Sequence, residues 1–124
     1  MSFMCRENLF VVTDITAKEE EELIQYMSGI EEFRYAFTLG RGNHISISAD
    51  HENGELVFWA YNELNYGLDF GEMKALSIRF PELLFRIEGK NEDGEEYRIY
   101  WKNGRRADYS PIITWPKFKP EDLM

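Results

Sequence analysis

Two histidines, one cysteine and 23 carboxylates are the side chains through which this 124-residue chain could do nucleophilic, acid–base or metal chemistry. His44 and His51 stand seven residues apart, an odd separation that places them on opposite faces of one continuous strand and away from a shared metal. A bend would gather Asp50, His51 and Glu52. A zinc site needs more converging ligands, however, and a solvated hairpin end accounts for the same three residues. Cys5 has no paired histidine or oxyanion motif beside it, and the stretch around it reads as a flexible start. With so many acids some must be neighbours, and no spacing selects one pair as general acid and base. G-R-G-N, from Gly40 to Asn43, lacks the Lys-Ser/Thr of a P-loop and is not G-x-G-x-x-G, so it reads as a loop. The sequence thus offers no catalytic, metal or cofactor-binding residue, and the expectation is a non-enzymatic protein.

The elements follow from capping and periodicity. Residues 9 to 15, L-F-V-V-T-D-I, are rich in strand formers and end at Thr16, whose spacing to Glu19 makes T-A-K-E a capping box for a helix running to about Ile30. Leu23, Ile24, Met27 and Ile30 form its apolar stripe, and Glu19 to Glu22 suit the positive end of its dipole. A second box, D-F-G-E at Asp69 to Glu72, opens a helix carrying Phe70, Met73, Leu76 and Phe80, stopped by Pro81. Between the helices, Asn53-Gly54 suits a two-residue type I′ turn that pairs Ala49 with Phe58 and Ile47 with Ala60. After them, a three-residue loop with Gly94 left-handed pairs Ile87 with Ile99 and Phe85 with Trp101, keeping apolar partners on one face. Asn103-Gly104 makes a third turn, and I-I-T-W-P-K-F reads as a last edge strand. Residues 31–44 read as an added strand with a glycine-rich loop.

Assembled, the order strand, helix, strand, strand, helix, strand predicts a single α+β domain over residues 1–124. It is the ferredoxin-like split βαβ arrangement, an antiparallel sheet with two helices on one face and extra C-terminal strands. The length suits one domain with one core. A single cysteine cannot form an internal disulfide and suits a reducing, cytoplasmic setting. No apolar run approaches the roughly 20 residues of a membrane span, and the N-terminus lacks a signal-peptide pattern. The net charge of −9 is unevenly placed: residues 1–72 hold 14 acids against 4 Lys+Arg, and residues 73–124 hold 9 against 10. Acidity of that kind disfavours nucleic acid and favours basic partners, although it also serves simple solubility.

From the second hairpin onward the chain resembles the YubB ferredoxin-like small proteins of bacteria, plasmids and phages. The residues that carry the resemblance span about 45 to 124: M-K-A-L-S-I-R-F-P-E-L-L-F, then I-E-G, an acidic turn, W-K-N-G-R and I-I-T-W-P-K-F-K-P-E-D-L. Where members carry a W-Y-D-H-E-type stretch, this chain has W-A-Y-N-E-L-N-Y-G-L-D-F-G-E. The resemblance implies a fold and a mobile-element setting, and no catalytic residues.

One surface stands out. With Ile47, Ala49, Phe58 and Ala60 turned to the helices, Ser46, Ser48, Asp50, Val57, Trp59 and Tyr61 lie on the open sheet face, where an RNA-recognition domain would stack bases. The C-terminal strands, or a second subunit in a homodimer, are the ordinary covers for such rings. The favoured expectation is an acidic accessory protein that binds a host protein through Glu31, Glu32, Asp50, Trp59 and Tyr61. A nucleic-acid-handling defence effector with a basic groove fits that charge, as for an anti-CRISPR or other anti-defence inhibitor. The alternative is a nucleic-acid-binding module that joins the aromatic face to a basic hairpin tip, Lys102, Arg105 and Arg106, expected to project together.

Overall fold

The computed structural model describes residues 4–39, 47–68, 70–111 and 119–123. Strand β1 (Met4–Val11) leads into helix α1 (Ala17–Ser28), a short helix α2 (Glu31–Phe37), and the hairpin of β2 (Asp50–Glu52) and β3 (Glu55–Phe58). A two-residue strand β4 (Leu64–Asn65) precedes helix α3 (Phe70–Arg79), and then come β5 (Phe85–Asn91), β6 (Glu96–Lys102) and β7 (Arg105–Tyr109). A 3₁₀ turn at Pro120–Asp122 follows. The protein is α+β, and its described residues form a seven-stranded antiparallel sheet and three α-helices. The strand order is β2-β3-β1-β5-β6-β7, and β4 pairs with the start of β1 beyond the reach of β3.

Turn chemistry fixes the registers. Asn53 and Gly54 both take positive φ, and β2 and β3 pair Asp50 with Val57 and Glu52 with Glu55, the expected frame. In the next hairpin the Gly94 N–H donates to the Asn91 carbonyl at 3.0 Å, with Gly94 left-handed. Phe85 accordingly faces Trp101 and Ile87 faces Ile99, as alternation requires. Asn103 and Gly104 turn the chain into β7, which opposes Lys102 to Arg105 and Trp101 to Arg106.

Alternation also decides where the core sits. Leu9, Val11, Leu56, Phe58, Phe85, Ile87 and Trp101 project from one sheet face into a single cluster with Leu23 and Met27 of α1, Phe33, Ala36 and Phe37 of α2, and Met73 and Leu76 of α3. All three helices thus cover the same face. Each of the Val, Leu, Ile, Phe and Met side chains contributes about 1.5–3 kcal/mol by leaving water. The Thr16 box forms as expected: the Glu19 N–H donates to Thr16 Oγ1, and the Thr16 N–H to Glu19 Oε1, both at 3.1 Å.

Three expectations need correction. The first strand begins at Met4, well before residue 9, so Cys5 is a buried strand residue and not part of a flexible start. Residues 31–37 form α2, in place of the expected strand. F-R-Y-A-F alternates like a strand, but Phe33, Ala36 and Phe37 also stand at helical spacing, and it is these three that are buried. Among the described residues the α-helices therefore number three, and the sheet is larger than the expected four-stranded core. The glycine loop and His44, within residues 40–46, lie outside the described residues, as do Asp69 of the second box and residues 112–118 of the proposed last strand.

Candidate binding surfaces

The face of the sheet turned away from the helices is built from the alternate residues of each strand. At the β3 end it is closed by its own contacts. The Trp59 Nε1–H donates to Asp50 Oδ2 at 2.7 Å, and Phe10 meets the Trp59 ring edge-on at 6.1 Å. Arg86 lies over the Phe10 ring, 4.4 Å from its centre. Its two terminal nitrogens donate to both Glu55 oxygens at 2.9 and 3.0 Å, and its Nε to Glu88 at 3.0 Å. These partners, Glu55 first, hold the guanidinium in its charged form. The aromatics of this end thus have partners within the fold.

Toward β5, β6 and β7 the same face opens into a groove of about 1030 Å³, lined by Arg6, Asn8, Lys90, Arg98, Tyr100 and Tyr109 among others. Tyr100 and Tyr109 meet edge to face at 5.6 Å. The outward positions of β1, β5, β6 and β7 carry six cations (Arg6, Arg86, Lys90, Arg98, Lys102, Arg105) against Glu88 and Glu96, a local net charge of +4. Glu63, Glu88 and Glu96 also line the groove.

On the helix face, beyond the apolar core, a carboxyl is buried. Glu7 is only 4% exposed; its Oε2 accepts from the Tyr97 hydroxyl at 2.5 Å and its Oε1 from the Leu68 N–H at 2.6 Å. Glu7 and Tyr97 sit on strands that flank β5 and both oppose Gly89, so the Tyr97 side chain lies across the glycine, where a Cβ would collide with the ring. Gly67, at φ +79°, lets the backbone pass close over the Glu7 carboxylate. Burial raises the Glu7 pKa above its ordinary value, against the opposing pull of the Tyr97 and Leu68 hydrogen bonds and of Arg106, while Glu32 pushes it further up. Burial, and then Glu7, also raise the Tyr97 pKa.

A third feature is the C-terminal end of α2. Asn62 Nδ2 donates to the carbonyls of Tyr35 and Thr38 at 2.7 and 3.1 Å, and the Tyr61 N–H donates to the Ala36 carbonyl at 2.8 Å. This clamp replaces partners that the helix end would otherwise lack. It holds Tyr35, Leu39 and Tyr61 in water at 55%, 79% and 41% exposure. Glu31 shares the Tyr35 side of the helix at i, i+4, and exposed Glu63 follows Tyr61.

The expected site residues separate into three places. Glu31 and Glu32 begin the helix whose far end receives Tyr61; Glu31 is exposed and Glu32 half-buried. Asp50 and Trp59 bind each other at the β2 edge. Lys102, Arg105 and Arg106 lie at the opposite edge, four or five strand spacings or roughly 20 Å away. They do not project together. Lys102 and Arg105 face the open groove side, whereas Arg106 opposes Trp101 on the helix side, where its guanidinium lies 5.7 Å from the indole centre and binds Asp108. The tip is also anchored, because the Gly104 N–H donates to the Oγ of fully buried Ser77 in α3 at 2.9 Å.

Sequence reasoning passed over Glu7, Tyr97, Ser77 and the Asn62 clamp; a glycine inside β5 and a serine on an apolar helix face were the signals for the first three. Among the described residues no group of three His, Cys, Asp or Glu side chains converges as a metal site, and no helix is long and apolar enough to cross a membrane. No family model, no curated protein and no solved structure matches this chain.

Proposed function

We propose that this protein is a non-enzymatic, ferredoxin-like binding module that docks on a basic protein surface through the α2 end. The observation that carries the reading is the clamped, water-exposed trio Tyr35, Leu39 and Tyr61 beside Glu31 and Glu63. Exposed aromatics on a rigid backbone supply contact area at low entropic cost, and a carboxylate rim steers a cationic partner and excludes anionic ones. A host protein with a basic nucleic-acid groove, such as a defence effector, has the matching charge. The fold name is supported by the order β2-β3-β1-β5 around the split β1-helix-β2 unit, with the helices on one face. The YubB-type relationship and the mobile-element setting rest on the sequence phrase through Phe80-Pro81 and Asn103-Gly104.

The test is capture of partners from the host cytoplasm, followed by titration of each with three forms of the protein. Tyr61→Ala with Tyr35→Ala should weaken the specific complex at least tenfold. Glu31→Lys with Glu32→Lys should slow association, most at low salt. Partners that bind all three forms equally would refute the assignment.

A further inference from the structure

We infer that the open groove over β1, β5, β6 and β7 is a site for single-stranded nucleic acid, separate from the α2 surface. Two observations independent of α2 carry it. The first is charge: in a molecule of net charge −9 the outward positions of these four strands hold six cations against Glu88 and Glu96, and the side chains of Arg6, Lys90, Lys102 and Arg105 are exposed with no hydrogen-bond or ion-pair partner among the described residues. Arg86 is held by Glu55 and Glu88, and Arg98 is drawn to Glu88 at 3.5 Å, so the four unpaired cations are the ones offered to a ligand. They lie in two pairs. Arg6 is directly opposite Lys90, and Lys102 is directly opposite Arg105. Lys90 pairs with Glu96, and Lys102 stands six residues farther along β6, so the pairs are about 20 Å apart at 3.4 Å per residue.

The second observation is what lies between them. Tyr100 and Tyr109 occupy the middle of this track, Tyr109 at 59% exposure. Arg6 and Lys90 line the groove, Lys102 and Arg105 lie beyond it on the same face, and the rings stand between, which suits a strand whose phosphates bind the cations while its bases stack on the rings. A duplex keeps its bases stacked inside and cannot use the tyrosines. An anionic peptide matches the cations but not the rings. The acidic helices lie on the other side of the sheet.

Anisotropy titration with fluorescein-labelled 15-mers of oligo(dT) and oligo(rU), a 15-base-pair duplex and polyglutamate tests this. Both single strands should bind more tightly than the duplex. Neutralising four phosphates should make log K fall against log[salt] with a slope of about −3. Arg6→Ala with Lys90→Ala should roughly halve that slope, while Tyr109→Ala should weaken binding about tenfold with the slope unchanged, as expected for one lost stack. These positions are exposed, so an unchanged melting temperature identifies a binding effect. No single-strand binding at 20 mM salt, equal binding of the duplex, preference for polyglutamate, or indifference to both sets of substitutions would each overturn the inference.

Discussion

Replacing Glu7 by Gln should leave the protein at least as stable as the parent at pH 7, while Glu7→Ala should destabilise it by about 2–4 kcal/mol. The carboxyl is nearly sealed from water and receives two donors, the Leu68 N–H and the Tyr97 hydroxyl. Glutamine preserves both contacts without charge: its carbonyl accepts from Leu68, and its amide donates to the tyrosine oxygen. Alanine removes the acceptor. A buried backbone N–H left unpaired costs about 1–3 kcal/mol, and the one lost methylene adds about 0.8 kcal/mol, offset in part by removal of a buried charge. The pH dependence separates charge from contact. Because the folded pKa of Glu7 is raised, the folded state binds its proton more tightly than the unfolded chain does. Its contribution is therefore most favourable below the unfolded value of about 4.5 and declines as pH rises through the folded pKa. Urea melts of the three proteins from pH 4 to 8 should show the parent losing ground to Glu7→Gln across that window, with a constant difference above it. If Gln were as damaging as Ala at pH 7, attraction between the Glu7 charge and Arg106 would outweigh burial, and the reasoning would fail.

Two further outcomes follow from close contacts. Ser77→Ala should cost about 1–3 kcal/mol, because it strands the Gly104 N–H and loosens the tip carrying Lys102 and Arg105; denaturant melts and hydrogen exchange at Gly104 check it. Gly89→Ala should cost at least the 1–3 kcal/mol of an overpacked site, because its methyl would meet the Tyr97 ring; adding Tyr97→Ala should cost less than the two changes summed, and strict additivity would refute the contact.

The hairpins were legible because their turns are specified by two or three residues each. Asn53-Gly54 and Asn103-Gly104 set two registers through positive φ. In the third, only the three-residue loop put Ile87, Ile99, Phe85 and Trp101 on one face. Helix α2 was not legible, since Phe33, Tyr35 and Phe37 satisfy a period of two as well as Phe33, Ala36 and Phe37 satisfy the helix. The choice was made by the core, which tertiary packing supplies. The start of β1 was hidden by Arg6, Glu7 and Asn8. Glu7 is buried only because two neighbouring strands bring Tyr97 over Gly89, a coincidence of register visible after all three strands are aligned. The split of the basic tip needed only parity: Lys102 opposite Arg105 forces Arg106 to the other face.

Folding converts an asymmetry along the chain into an asymmetry between faces. The acids of the first 72 residues lie mostly on α1, on the first turn of α2 and on the β2–β3 hairpin, where helix dipoles and solvent accept them. In the remainder the balance is nearly even, but position is not. Glu92, Asp93 and Glu95 fall in the β5–β6 turn, while Arg86, Lys90, Arg98, Lys102 and Arg105 alternate onto one side of the strands. On β5 and on β6 the cations stand four residues apart and so fall on the same face, and Glu88 between Arg86 and Lys90 opposes them locally by drawing in Arg86 and Arg98. Net charge alone would make the whole molecule repel nucleic acid. The strand period instead confines the repulsion to long range and leaves a short-range cationic face, so substitutions in the sheet and in α2 should change different complexes. Both proposed complexes should weaken with salt, so it is the position of the substitution, rather than the salt response alone, that would distinguish a basic protein on α2 from a single strand on the sheet.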